Sequence, residues 1–361
     1  MINISKPFIP ELGEYNKYLE GIWERGWLTN NGPLVNELEL VFKEYFQTPY
    51  VLYVSNGTIA IQLAIKALGL TGEIITTPFS YVATTSSIVW EGCRPVFVDI
   101  DPYNYNIDPS KIEAAITEKT TGIIATHVYG NPCDIDAIGR IAKKYNLKVI
   151  YDAAHCFGTL YKGKSVFAYG DVSTTSFHTT KIYHTVEGGA VFAKDPEVLK
   201  TMAYMRNFGH DGRVDFAGVG INGKNSEFHA AFGLANFNHI DEILSTRKEQ
   251  YNYYLKKLEN HKGQKLSVNP HADFNCAYFP LLFDSEALLL KTTDELLEQY
   301  VVPRRYFYPS LSALPYIKEC DTPVSDDVAS RILCLPLFHK LQKEEIDMIC
   351  RILLRVQQYS R

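Results

Sequence analysis

No apolar run in this 361-residue chain reaches the ~18 residues of a membrane-spanning helix. Met1-Ile2-Asn3-Ile4-Ser5-Lys6-Pro7 lacks the charged and apolar zones of a secretory leader, so the cytoplasm is the expected location. None of the seven cysteines, at 93, 133, 156, 276, 320, 334 and 350, stands in Cys-x-x-Cys spacing. Zinc and dithiol redox centres are therefore not expected, and the thiols read as reduced core residues. A basic excess is also missing: 36 Lys+Arg against 41 Asp+Glu give a net charge of -5, which argues against nucleic acid as a partner. There is no internal repeat, low-complexity tract or long linker.

What is present is core material. Hydrophobic residues make up 46% of the chain and charged residues 21%, the profile of a soluble globular protein. The length exceeds one compact core, so a large domain (1–246) and a smaller C-terminal one (247–361) are expected. The 24 Tyr and 19 Phe are an unusual load, and aromatics more often build cores and subunit contacts than ligand sites.

The first two-thirds alternates apolar strands with amphipathic helices, which predicts an α/β fold with a seven-stranded, mostly parallel sheet. The predicted strands are Val51-Val54, Glu73-Thr77, Pro95-Asp99, Gly122-His127, Lys148-Asp152, Val172-Phe177 and Ala190-Ala193. Helices are predicted over Thr58-Leu68 and Asp134-Tyr145. From Arg247 the pattern changes to a helix over Arg247-Leu258, then strands at Ala277-Phe283 and Arg331-Leu335 among Pro- and Tyr-rich loops, an α+β arrangement.

Open parallel sheets bind ligands beyond the carboxyl ends of their strands, and three such ends turn polar or glycine-rich here. Asn56-Gly57-Thr58 opens a helix, where free N–H groups favour an anion and glycine admits a phosphate; ordinary helix capping reads equally well. Asp152 ends a buried strand, where a carboxylate needs a cation or hydrogen bonds to stay ionised; a turn-capping aspartate is the plainer use. Lys181 follows the sixth strand in Ser176-Phe177-His178-Thr179-Thr180-Lys181, then runs through Glu187-Gly188-Gly189. A lysine with a lowered pKa there could capture a carbonyl, whereas most lysines in loops are simply solvated.

In this order and spacing the pieces resemble the fold-type-I sugar-nucleotide aminotransferases of the DegT type. The resemblance runs from Gly26-Trp27-Leu28-Thr29-Asn30-Asn31-Gly32-Pro33 to Leu335-Pro336-Leu337, nearly the whole chain. It implies a pyridoxal 5'-phosphate (PLP) cofactor carried on Lys181, with pyridoxamine 5'-phosphate as the form between two half-reactions. It also implies that Asp152 binds the ring nitrogen and that Ser176, Gly57 and Thr58 hold the phosphate. Tyr81, in Phe79-Ser80-Tyr81-Val82-Ala83-Thr84, would stack on the ring. His155, where many relatives have glutamine, would pack near the ring or its hydroxyl. The segment 1–35 would reach toward the active site. Gly220-Ile221-Asn222-Gly223-Lys224-Asn225-Ser226-Glu227 resembles the loop that crosses to a neighbouring subunit, which would bring Asn222 to the partner's phosphate and make a homodimer with shared sites. Many relatives carry Tyr-Arg where this chain has Gly223-Lys224, so the role of that arginine does not carry over, although Lys224 could meet a diphosphate.

The same resemblance implies amino transfer from L-glutamate to a nucleotide-linked keto sugar. His178, Glu187-Gly188-Gly189 and Asn222-Gly223-Lys224 resemble the group acting at C4, so dTDP-4-keto-6-deoxyglucose giving dTDP-4-amino-4,6-dideoxyglucose is expected, with amination at C3 as the alternative. Tyr183, His184, Lys224, Tyr306 and Tyr308 are candidate substrate contacts, each with a packing role as its plainer reading. His127 could line the pocket or be a structural histidine. Sugar dehydratases on this scaffold put histidine where Lys181 stands, and a non-catalytic PLP- or sugar-nucleotide-binding regulator has no need of Lys181 paired with Asp152.

Overall fold

A strand buried on both faces needs continuous apolar residues, and the runs noted above have that character. A computed structural model describes residues 1–318 and 320–359. In it the runs become β1 (Val51–Val54), β2 (Glu73–Thr76), β3 (Arg94–Phe97), β4 (Thr120–Thr126), β5 (Lys148–Asp152), β6 (Val172–Ser176) and β7 (Gly189–Ala193). They form one seven-stranded sheet in the order β1-β7-β6-β5-β4-β2-β3. Only β7 runs against the rest, pairing antiparallel with both β1 and β6. The α/β class and the mostly parallel sheet agree with the sequence reading.

Helices cover both faces. On one side α2 (Pro33–Phe46) and α6 (Glu227–Phe237) bury Phe42, Phe46, Ala230 and Leu234 against Phe157, Phe177 and Phe192. On the other, α3 (Gly57–Ala67) packs Ile61, Leu63 and Ala64 on Val54, Ile124, Ile150 and Val191. The caps follow residue chemistry: Asn56 accepts the Ile59 N–H at 2.9 Å, and Asp134 accepts the Ala137 N–H at the start of Ile135–Tyr145. Helix α2 opens on Pro33, and its first free N–H groups, from Leu34 and Val35, donate to the buried Glu227 carboxylate at 2.9 and 3.0 Å. Gly32 permits this approach, since a Cβ there would lie 2.4 Å from Glu227 Cδ.

The C-terminal part builds a second core around Tyr254, Phe279, Leu333, Ile349 and Leu353. Its main strands are β8 (Phe279–Leu282) and β9 (Ile332–Leu335), paired antiparallel, with the short Gln264–Lys265 on the other edge of β8, and its flanking helices are α7 (Ile240–Lys257) and α8 (Lys343–Tyr359). Helix α7 starts earlier than the predicted Arg247, because Ile240 and Ile243 bury on the first core before Tyr251 and Tyr254 enter the second. The helix thus passes straight through the expected junction at 246–247. The chain's start belongs with the second core: Ile2 and Asn3 pair in parallel with Val301 and Val302.

Candidate active site

A cavity of ≈ 350 Å³ opens at the carboxyl ends of β1, β5 and β6, where an open parallel sheet leaves free strand ends. Gly57, Tyr81, Asp152, His155, Ser176 and Lys181 line it from the large sheet, and Arg304 and Tyr306 close it from the C-terminal part. Seven of the eight residues expected around a cofactor or the reaction, all but Asn222, are thus in one place, together with Tyr306.

Gly57 and Thr58 begin α3 at the cavity wall, ahead of the Ile59 N–H that Asn56 caps. A helix start of this kind favours an anion through its free N–H groups and dipole. Any side chain at 57 would strike Ser176, whose Cβ would lie 2.9 Å from the added carbon. Gly189 is forced for a related reason: a Cβ there would come 2.6 Å from the Asn56 carbonyl. The Glu187-Gly188-Gly189 motif therefore lets the start of β7 press against the anion corner.

Asp152 ends β5 as a buried residue at the cavity wall. Thr84 Oγ1 donates to its Oδ2 at 2.6 Å and the Ala154 N–H to its Oδ1 at 3.2 Å. Burial still raises its pKa above the usual carboxylate value, against the pull of those two bonds and of Lys181. A carboxylate in that condition gains from a further cation, and a protonated ring nitrogen is one. The Lys181 amine is affected in the complementary sense: burial lowers its pKa to about 8, Asp152 opposes that shift, and the charge of Arg304 adds to it. A free amine is thereby accessible near neutral pH.

The loop that holds Lys181 is tied back on itself, with Thr185 N–H donating to Phe177 O at 2.9 Å and Thr179 N–H to Val186 O at 3.0 Å. Val186 closes it at φ 68°, a left-handed conformation that a β-branched residue adopts only under constraint. Facing the lysine, His155 stacks on Phe307 with ring centres 5.8 Å apart, and its Nε2 pairs with the Tyr306 hydroxyl at 3.3 Å. Burial holds its pKa well below the ordinary value, so the ring is neutral. Its Nδ1 is buried without a protein partner at the cavity wall, the condition of a group that meets a ligand.

Several candidates lie elsewhere. Tyr183 is a core residue, stacked on Phe157 at 4.4 Å, and does not reach the cavity. His184 is buried with Nε2 against Phe8 O at 2.8 Å. Both sit on the inward side of the folded-back lysine loop, which corrects their assignment as substrate contacts. Tyr308 lies outside the cavity with the Arg305 guanidinium 3.4 Å above its ring. Lys224 donates to Asn207 Oδ1 at 2.7 Å, and Asn222 is exposed in a bridge with Asn207; neither lines this chain's own cavity. His127 is structural: its Nδ1 accepts the Cys133 N–H at 3.0 Å and its ring stacks on Tyr151. The segment 1–35 packs on α6 through pairs such as Tyr15–Phe232 and Trp23–Phe228, and it does not line the cavity.

Thr84, Arg304 and Tyr278 carried no assigned role in the sequence. Thr84 reaches the site through its bond to Asp152 rather than by lining the cavity, and it lies one helical turn beyond Tyr81. Arg304 and Tyr278 come from the C-terminal part, and no local pattern marks them. Among the described residues there is no His/Cys/Asp/Glu group able to hold a metal, and no helix is long and apolar enough to cross a membrane.

A half-buried lysine amine, a buried carboxylate and a helix start suited to an anion, gathered at the carboxyl ends of a mostly parallel sheet, define an α/β enzyme that captures carbonyl compounds on lysine. The chain belongs to the DegT/DnrJ/EryC1/StrS aminotransferase family, which residues 11–354 match. It is 41% identical over 357 residues to a dTDP-4-amino-4,6-dideoxy-D-glucose transaminase of Shigella dysenteriae, covering 96% of this chain and 97% of that one. A transaminase of the same name from Escherichia coli is 40% identical, with 98% of each chain covered. Among solved structures, DesI in the presence of its TDP-sugar product superposes with a TM-score of 0.94 at 28% identity, covering 100% of this chain and 94% of DesI.

Proposed function

We propose that this enzyme transfers the amino group of L-glutamate to dTDP-4-keto-6-deoxyglucose, giving dTDP-4-amino-4,6-dideoxyglucose. The chain is a PLP-dependent sugar-nucleotide transaminase. The carrying observation is that the Lys181 amine and the buried Asp152 carboxylate share one cavity with the start of α3. Those residues suit the cofactor. Lys181 would hold its aldehyde carbon, Asp152 its ring nitrogen, Gly57, Thr58 and Ser176 its phosphate, Tyr81 one ring face, and His155 its hydroxyl through the unpaired Nδ1.

When bound, PLP supplies a sink for the electron pair left as the donor's α-proton departs. Lys181 Nζ, its pKa lowered to about 8, takes that proton and returns it at the acceptor carbon, one base serving both half-reactions. Asp152, held by Thr84 and the Ala154 N–H, keeps its charge set against the ring nitrogen.

The working form is a homodimer in which Asn222 and Lys224 serve the partner's cavity. Support comes from the segment around them, which exposes Phe208, Val214, Phe216, Val219 and Ile221, with Val219 90% and Val214 81% open to solvent. So many apolar side chains on one protruding loop call for a covering surface.

Borohydride reduction of the yellow holoenzyme followed by peptide mapping places the label on Lys181; label on another lysine ends the assignment. Incubation with L-glutamate and dTDP-, UDP- and GDP-linked keto sugars, with NMR of the product, reads base and regiochemistry. Nitrogen at C3 would replace the C4 reading, and no transfer at all would leave a binding regulator.

A further inference from the structure

Arg304 is the one permanently charged cavity residue without a task. Of the others, Lys181 and Asp152 serve the chemistry, and Glu187 stands at the rim opposite His178 at 3.6 Å. Its neighbour Arg305 is engaged elsewhere, its Nη2 donating to Glu286 and to Ser330 O at 2.5 Å each. Arg304 makes no ion pair with any carboxylate among the described residues. Its guanidinium instead rests 4.5 Å from the centre of the Tyr306 ring. That cation–π contact steadies the group while its N–H edges stay free for an anion.

The backbone fixes where this cation stands. Arg304 N–H donates to Cys334 O at 3.1 Å and Cys334 N–H to Arg304 O at 2.8 Å, which pins the residue to the fully buried β9. Tyr306 below it is held from two sides, by His155 Nε2 and by the Tyr129 hydroxyl on its carbonyl. The charge is close enough to depress the Lys181 amine and the His155 ring. Arg304 thus presents a fixed positive charge on the wall of the cavity that holds the Lys181 amine.

Resting on the transaminase reading above, we infer that Arg304 binds the α-carboxylate of the amino donor, with Tyr306 as its platform. The choice of anion follows from bond distance. In an amino acid the α-carboxylate is one bond from the carbon that reacts at Lys181. In a sugar nucleotide acting at C4 the diphosphate hangs from C1, across the hexose ring, and must lie farther out. The cofactor phosphate has its own receptor at the start of α3. A planar guanidinium also matches a carboxylate edge to edge, which lysine cannot do.

The test uses the PLP-loaded protein and 2-oxoglutarate, which shares the α-carboxylate but lacks an amine and cannot turn over with that form. Calorimetric titration of wild type, Arg304→Gln and Arg304→Lys gives the binding constants. Loss of a charge-assisted contact weakens 2-oxoglutarate by at least about tenfold in Arg304→Gln. Arg304→Lys recovers only part of it. In single-turnover runs the apparent Kd for L-glutamate and L-glutamine rises by the same factor, while that for the amino-sugar nucleotide moves less than about threefold. Equal weakening of amino acid and sugar nucleotide, weakening of the sugar nucleotide alone, a changed glutamate-to-glutamine ratio, or loss of PLP retention would each overturn the inference. Failure of the transaminase reading is seen separately, as wild-type enzyme that accepts no amino group from glutamate.

Discussion

Thr84 donates its hydroxyl to Asp152 at 2.6 Å, so a side chain from the helix after β2 sets the charge of the carboxylate that ends β5. Removing that bond leaves a buried carboxylate with only the Ala154 N–H for support. Thr84→Val is expected to raise the Asp152 pKa further, and Asp152→Asn to remove the charge altogether. Turnover should fall by about a hundredfold in Asp152→Asn and by a smaller factor in Thr84→Val, measured as kcat with L-glutamate. Unchanged turnover in Asp152→Asn would remove this carboxylate from the chemistry.

Lys181→Ala removes the only lysine amine that lines the cavity among the described residues. Residual transfer should drop by about a hundred- to ten-thousandfold, the range for loss of a positioned base. The protein should also lose the yellow colour that survives gel filtration in wild type.

The low pKa of that amine has a sign that can be checked. A lysine held at about 8 rather than at its ordinary value is mostly protonated below pH 8 and mostly free above it. The rate at which cofactor-free protein takes up PLP should rise about tenfold per pH unit up to 8 and then level off. A profile that keeps rising to pH 10 would show an unperturbed lysine.

Glu227 and Gly32 form an anchor between the N-terminal segment and α6. Glu227→Gln weakens two hydrogen bonds to a buried charge and should cost about 1.5–3 kcal/mol in denaturant unfolding. Gly32→Ala forces a carbon into the carboxylate and should destabilise by about 1–3 kcal/mol. Variants as stable as wild type would mean that the segment is held by other contacts.

The proposed sharing of sites makes a subunit-mixing experiment decisive. Lys181→Ala and Asn222→Ala proteins should each be nearly inactive alone. Unfolded and refolded together in equal amounts they should regain about a quarter of wild-type activity, because half the dimers then hold one intact site of two. No recovery would place Asn222 in its own chain's site or in none. Phe216→Asp, which charges the exposed apolar loop, should shift sedimentation toward the monomer.

The large sheet was readable because burial on both faces leaves uninterrupted apolar runs, and Val51–Val54 and Lys148–Asp152 match to the residue. Residues grouped near one strand end were readable for the same reason: Ser176 and Lys181 share the segment after β6, and Gly57 stands beside the end of β1. Contacts made by chain reversal were not. Tyr183 and His184 follow Lys181 closely, yet the Thr185–Phe177 and Thr179–Val186 bonds turn that loop inward and bury both. Arg304 comes from far along the chain on a strand-like edge fixed by Cys334, and nothing in its neighbourhood distinguishes it from the engaged Arg305.

In the sheet, β1 has β7 as its single partner, and β7 is made more than a hundred residues later. As the chain leaves the ribosome, Val51–Val54 therefore waits at an open rim until Gly189–Ala193 emerges and slots in beside it. The corner where Gly57, Ser176 and Gly189 meet cannot take shape on a nascent chain that stops short of that point. A site built on it is in this way deferred until the whole central layer has been synthesised.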